Sequence, residues 1–107
     1  MVEPKEIGYW SNLKAPNIGT QYGILQKGEK YRVIKAFTDC NNVTHNVGET
    51  WIFLAYSFLP YDDGLQWFVT YDGRHEWDIP LWLAQERFQD IERHIEDYVE
   101  ICSPERT

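Results

Sequence analysis

The sequence predicts an α+β fold. Its expected core is a bent antiparallel meander sheet of four to five strands, closing toward a small SH3-like barrel, with one C-terminal amphipathic helix. Three observations carry this expectation. Residues 31–82 are dense in Tyr, Trp, Phe, Val and Ile, side chains that favour a pleated, half-buried surface. Short turn-forming clusters, "DCNN", "PYDDG" and "DG", punctuate those runs, as consecutive hairpins require. After residue 83 the apolar residues recur at steps of three and four, which lays one stripe along a helix.

The elements follow in order. Residues 1–22 read as an irregular arm: Pro4, Gly8, Pro16 and Gly19 interrupt any period, while Tyr9, Trp10, Leu13, Ile18 and Tyr22 suit it for packing onto a surface. Residues 23–102 read as a single domain and residues 103–107 as a frayed tail. Gly28 makes a turn, after which Tyr31, Val33, Lys35 and Phe37 alternate with Arg32, Ile34, Ala36 and Thr38. Apolar residues on both sets predict a strand covered on both faces over part of its length. Residues 23–26 are available as a fifth strand. "DCNN" is a turn, because Asp and Asn bond their own backbone and tolerate positive φ. Beyond Gly48, Trp51, Phe53, Ala55 and Ser57 are expected on one face and Ile52, Leu54, Tyr56 and Phe58 on the other.

The adjacent carboxylates Asp62 and Asp63 sit in "PYDDG" between two aromatic strands. Pro presets φ at the first corner and Gly supplies positive φ at the last, so the segment reads as a hairpin loop. It lacks the alternating ligand spacing of a calcium loop, and neighbours at a turn tip diverge rather than face each other as glycosidase carboxylates do. Asp72-Gly73 then joins "LQWFVTY", with Trp67, Val69 and Tyr71 on one face, to "HEWDIPLW". Pro80 donates no hydrogen bond there, which marks an edge or an end. The helix is expected from about Leu83 to Cys102, its stripe formed by Ala84, Phe88, Ile91, Ile95, Tyr98, Val99 and Cys102.

Composition narrows the function. The 107-residue chain is one domain by length, and its 16% aromatic content exceeds what a small interior needs, which leaves rings for a binding surface. No run approaches the roughly 18 apolar residues of a membrane span, and "MVEPKEIGYW" has no apolar signal region. A cytoplasmic location with Cys40 and Cys102 as reduced thiols is therefore expected. The net charge of −7 divides into +3 over residues 1–35 and −10 over residues 36–107. An acidic body lacks the cations that neutralise phosphates, so direct nucleic-acid binding is not expected.

His45, His75 and His94 belong to no metal-ligand motif, and the glycines form no phosphate-binding loop. No metal and no cofactor is expected. An enzymatic site would need His75, Glu76 or Asp78 to converge with His45 or Glu49 in one cleft. Two non-catalytic signals are stronger. Glu86, Asp90, Glu92, Glu96 and Asp97 share an acidic helix face with Glu100, complementary to a basic partner. The aromatic surplus includes Trp67 and Trp77 near the hairpins, and Trp is enriched at interface hot spots.

The run "LQKGEKYRVIKAFTD", then "VGETWIFLAYSFLPYDDGLQWFV", then the helix ending "IEDYVE" resembles a family of small, mostly bacterial proteins known as a domain of unknown function. Its motifs are G-x-x-Y-x-V, G-E-x-W-x-F and F-L-P-Y-D-D-G-L, and the likeness spans roughly residues 25–100. The resemblance implies no activity. The expected function is a non-enzymatic, cytoplasmic protein-binding module of the inhibitor or immunity type. Its partner would be a protein, basic in charge, meeting Glu86, Asp90, Glu92, Glu96, Asp97, Trp67 and Trp77. The alternative is a small-molecule-binding domain with an aromatic pocket between sheet and helix.

Overall fold

The computed structural model describes residues 4–9, 11, 18–59 and 64–102. The Asp62–Asp63 turn, Trp10 and the tail lie outside the described residues. The elements are β1 (Lys5–Glu6), β2 (Ile18–Gly19), β3 (Gln21–Tyr22), β4 (Leu25–Gln26), β5 (Lys30–Val33), β6 (Phe37–Thr38), β7 (Thr44–His45), β8 (Thr50–Leu59), β9 (Gly64–Thr70) and β10 (His75–Trp82), followed by α1 (Glu86–Arg93), α2 (Ile95–Tyr98) and β11 (Val99–Ile101). No helix among the described residues is long and apolar enough to cross a membrane.

The main sheet is antiparallel, in the order β1-β10-β9-β8-β5-β11, with β2 alongside β8. Its centre, β5-β8-β9-β10, is antiparallel as expected, and Asp72-Gly73 joins β9 to β10, but the "DCNN" turn joins β6 to β7 rather than β5 to β8. The rim differs from expectation in three ways. Two strands of the arm, β1 and β2, extend the sheet to seven strands, while β3–β4 and β6–β7 form separate two-stranded ribbons. Among the described residues the sheet stays open, ending on β1 and β11, so no barrel closes. The single long helix is instead two short ones.

The helix is shorter for a backbone reason. His94 breaks the helical geometry at φ −127°, and Val99 is extended at φ −138° and ψ 151°. Turning there lets β11 satisfy the edge of β5. The Tyr98 carbonyl accepts from the Ile34 and Lys35 N–H groups at 2.7 and 3.2 Å, and the Cys102 N–H donates to the Lys30 carbonyl at 2.8 Å. A free strand edge has no such partners.

One face of β5, β8, β9 and β10 holds the core: Tyr31, Val33, Trp51, Phe53, Leu65, Trp67, Val69, Ile79 and Leu81. Phe88, Ile91, Ile95 and Tyr98 cover it from the helices. A β-bulge in β8 changes the expected alternation. Phe53 pairs with Val69 but Ala55 pairs with Phe68, so one extra residue intervenes on β8. Ala55 and Ser57 therefore point away from Phe53, and Tyr56 and Phe58 join the core face.

The arm covers part of the opposite face. The Glu76 carboxylate, fully buried, accepts from the Gly8 N–H at 2.9 Å, the Ser11 N–H at 3.2 Å and the Ser11 hydroxyl at 2.6 Å. A buried carboxylate needs such donors, so Gly8 and Ser11 are anchored to the sheet.

Candidate functional site

The site grows from the β6–β7 hairpin. Its turn starts at Asp39, whose Oδ1 accepts from the Asn41 N–H at 2.8 Å and the Val43 N–H at 3.1 Å. Asn42 takes a φ of 62°, a conformation Asn tolerates better than most residues. The turn brings the Cys40 N–H to the Pro80 carbonyl at 2.9 Å. The hairpin is thereby docked against the edge of β10, where Pro80 has a carbonyl to offer and no N–H.

This docking buries His45, which is 2% exposed and stacked on Phe37 with ring centroids 4.8 Å apart. Its Nε2 lies 2.8 Å from Asp39 Oδ2 and its Nδ1 lies 2.6 Å from Glu49 Oε2. The Tyr71 hydroxyl donates to the same Glu49 oxygen at 3.1 Å. Burial opposes charge on His45, but its hydrogen bonds to the Asp39 and Glu49 carboxylates outweigh it and raise the pKa to about 9. The ring is an imidazolium at neutral pH, and both its protons are committed. Desolvation and Glu49 together push the Tyr71 phenol far above its ordinary range.

Beside this cluster lies a cavity of about 330 Å³. Asp39, His45 and Asp78 supply its charged groups; Pro4, Val43, Tyr71, Trp77 and Ile79 supply the rest of the wall. The Tyr71 and Trp77 rings meet edge to face, 4.8 Å between centroids. Gln66 Nε2 donates to Asp78 Oδ2 at 3.3 Å. Asp78 Oδ1 is enclosed without a partner among the described residues. Burial, with the Asp39 charge behind it, raises the Asp78 pKa to about 7.

Residues 15–104 match the family described as a domain of unknown function, DUF3601. The chain belongs to the DUF3601 family. Its fold is shared with a solved structure from the mobile metagenome of Vibrio cholerae, an integron cassette protein. That protein is 31% identical, with a TM-score of 0.73 over 79% of this chain and 93% of the other. A comparison with curated proteins finds no match. Apart from Pro4, every residue of the cavity falls inside the DUF3601 span.

The structure of this DUF3601 protein separates the residues singled out in the sequence. Trp67 is 0% exposed, packed in the core beside Phe37 and Trp51, so it is withdrawn from any partner surface. Both Trp67 and Trp77 lie on the core face, but Trp77 is only partly buried and lines the cavity. Glu86, Glu96 and Asp97 are exposed. Two other acids of the helix face have structural partners instead: Asp90 accepts from the Tyr98 hydroxyl and Glu92 from the Tyr22 hydroxyl at 2.8 Å. A second cavity, about 420 Å³, does lie between sheet and helix, lined by Tyr22, Tyr56, Phe58, Leu83 and Glu92. Of its polar groups, the Tyr22 hydroxyl donates to Glu92, and Tyr56 supplies a further hydroxyl.

Of the residues an enzymatic cleft would need, His45, Glu49 and Asp78 gather at the first cavity. His75 is paired with Asp72 at 2.9 Å on the exposed β9–β10 turn, and Glu76 is held under the arm. The His75 contact, with the Arg74 and His75 N–H groups, holds the Asp72 carboxyl well below its usual range. No cluster of three or more His, Cys, Asp or Glu suited to a metal occurs among the described residues. Sequence reasoning missed Asp39 and Tyr71. The available signal for Asp39 was the turn itself, since an Asp opening a tight hairpin points its carboxylate back at the backbone it caps.

Proposed function

We propose that this protein is a non-enzymatic binding module and that its binding place is the cavity beside β10. The observation carrying this reading is the enclosed, unpartnered Asp78 carboxylate oxygen in a wall that also holds two aromatic rings. Buried polar atoms are nearly always partnered, and a concave apolar site with a few convergent polar groups is the usual form of a ligand pocket. His45 supports the same reading, since both its nitrogens are engaged and it holds the wall together rather than exchanging protons. The test is a thermal-shift screen of metabolites against the wild type and Val43→Trp, a change at a half-exposed wall residue that fills the cavity. Ligands that stabilise the wild type and fail on the variant support the reading. Ligands that act on both equally refute it.

The helix face supports a second reading, a protein partner, because Glu86, Glu96 and Asp97 are exposed and Trp82, also exposed, precedes them. Its test is charge reversal at Glu96 and Asp97. Reversal at Glu92 would break the Tyr22 hydrogen bond and confuse binding with folding. Unchanged affinity for a captured partner after Glu96→Lys and Asp97→Lys removes this reading.

A further inference from the structure

We propose that the cavity beside β10 takes an organic cation: an ammonium or guanidinium group carried on a small apolar body. The inference rests on the cavity being a binding place and adds the chemical class of its occupant. It follows from counting what the wall has left to offer.

Side-chain donors in the wall are already used. His45 gives both ring protons to Asp39 and Glu49, and the Tyr71 hydroxyl donates to Glu49. The indole N–H of Trp77 remains, and one neutral donor does not hold an anion beside two carboxylates. Once Asp78 is ionised, above about pH 7, the unfilled capacity is acceptor capacity. Asp78 Oδ1 has no partner among the described residues, and a carboxylate accepts at several lone pairs. An occupant must therefore bring donors.

Charge points the same way. Asp39, Glu49 and Asp78 stand against the single cation His45, so the cluster carries excess negative charge whenever Asp78 is ionised. The closest lysine in sequence, Lys5, lies over the Tyr9 ring at 5.2 Å. The Tyr71 and Trp77 rings present π-systems, which attract cations through their negative faces. Val43 and Ile79 complete an apolar wall for the stem that carries the charge. Among the described residues no Lys or Arg lines the cavity, so an anionic ligand would meet carboxylates there. A purely apolar one would leave Asp78 Oδ1 enclosed without a partner.

The experiment compares isosteres on the wild-type protein at pH 8, where Asp78 is ionised, followed by Trp fluorescence and by NMR shifts of the Trp77 indole N–H. The probes are benzylamine, benzyl alcohol, benzoate and a lysine capped as its Nα-acetyl-N-methylamide. Benzylamine is expected to bind at least roughly tenfold more tightly than benzyl alcohol, the discrimination a charged hydrogen bond supplies, and benzoate more weakly still. Asp78→Asn is expected to erase the preference. If the variant does not fold, the wild-type comparison of amine with alcohol decides alone. Capped lysine binding above benzylamine would place the cation on a partner's side chain, and below it on a free amine; both keep the class. Equal binding of amine, alcohol and benzoate, all blocked by Val43→Trp, overturns the cation and leaves the cavity reading standing. Failure of every probe to move the Trp77 signal overturns the cation proposal. The metabolite screen then decides the cavity separately.

Discussion

Replacing His45 by Gln separates the ionic role of this residue from its packing role. In the folded protein the ring is raised from 6.5 to about 9, with burial opposing and the Asp39 and Glu49 hydrogen bonds prevailing. A folded pKa above the unfolded one means the charged form stabilises the fold. That contribution is complete below about pH 6.5 and is lost as pH rises through about 9. Raising the ring from 6.5 to about 9, at about 1.36 kcal/mol for each tenfold change in proton affinity, corresponds to about 3 kcal/mol. Gln fills similar space and cannot ionise, so it leaves the two carboxylates uncompensated, a loss of about 3–5 kcal/mol for a broken buried pair. Urea denaturation of wild type and variant at pH 6, 7.5 and 9, read by Trp fluorescence, measures the difference. The gap should be widest at pH 6 and narrow by about 3 kcal/mol at pH 9. A gap that stays constant across this range would show that His45 folds uncharged, and the reasoning would fall.

Three further perturbations test separate parts of the structure. Asp78 is raised from 3.8 to about 7 chiefly by burial, so its contribution is present below about pH 4 and lost as pH rises through 7. Asp78→Asn should therefore leave stability near pH 4 almost unchanged and raise it at pH 8 by up to about 4 kcal/mol; equal thermal shifts at both pH values would contradict this. A Cβ on Gly19 would sit 2.3 Å from Tyr56 Cε1 and 2.8 Å from the Tyr56 hydroxyl. Gly19→Ala should cost about 1–3 kcal/mol by overpacking, and adding Tyr56→Leu should recover most of it in a denaturant melt. Glu76→Gln weakens the three contacts that hold Gly8 and Ser11, at about 1–3 kcal/mol. The expected readout is faster chymotrypsin cleavage after Tyr9, and wild-type kinetics there would show the arm is held by other means.

The centre of the fold was legible because it depends on a short period. Alternating apolar residues and turn chemistry located β5, β8, β9 and β10, and the apolar stripe identified Phe88, Ile91, Ile95 and Tyr98 as core. What escaped depends on distant pairing. The bulge at Phe53–Ala55 is a matter of register against β9, and nothing local to β8 announces it. Val99 fits a helical stripe and a strand equally well; the open edge of β5 decided between them. Trp67 and Trp77 lie on neighbouring strands of the same face, two residues apart in register, and periodicity cannot tell them apart. Burial separates them: Trp67 is fully enclosed and Trp77 only partly.

The cavity was hidden for a related reason. Asp39, Tyr71 and Asp78 each have a sufficient local explanation as a turn residue, a strand aromatic and a strand-edge polar residue. Only the docking of the hairpin on Pro80 turns them into one wall. Once assembled, that wall has spent its protons internally, through His45 and Tyr71, and retains lone pairs. The chain as a whole carries −7, so the long-range field and the local hydrogen-bond deficit have the same sign. A field of that sign draws cations toward the surface. The carboxylates and rings at the β10 edge then provide the contacts that distinguish one cation from another.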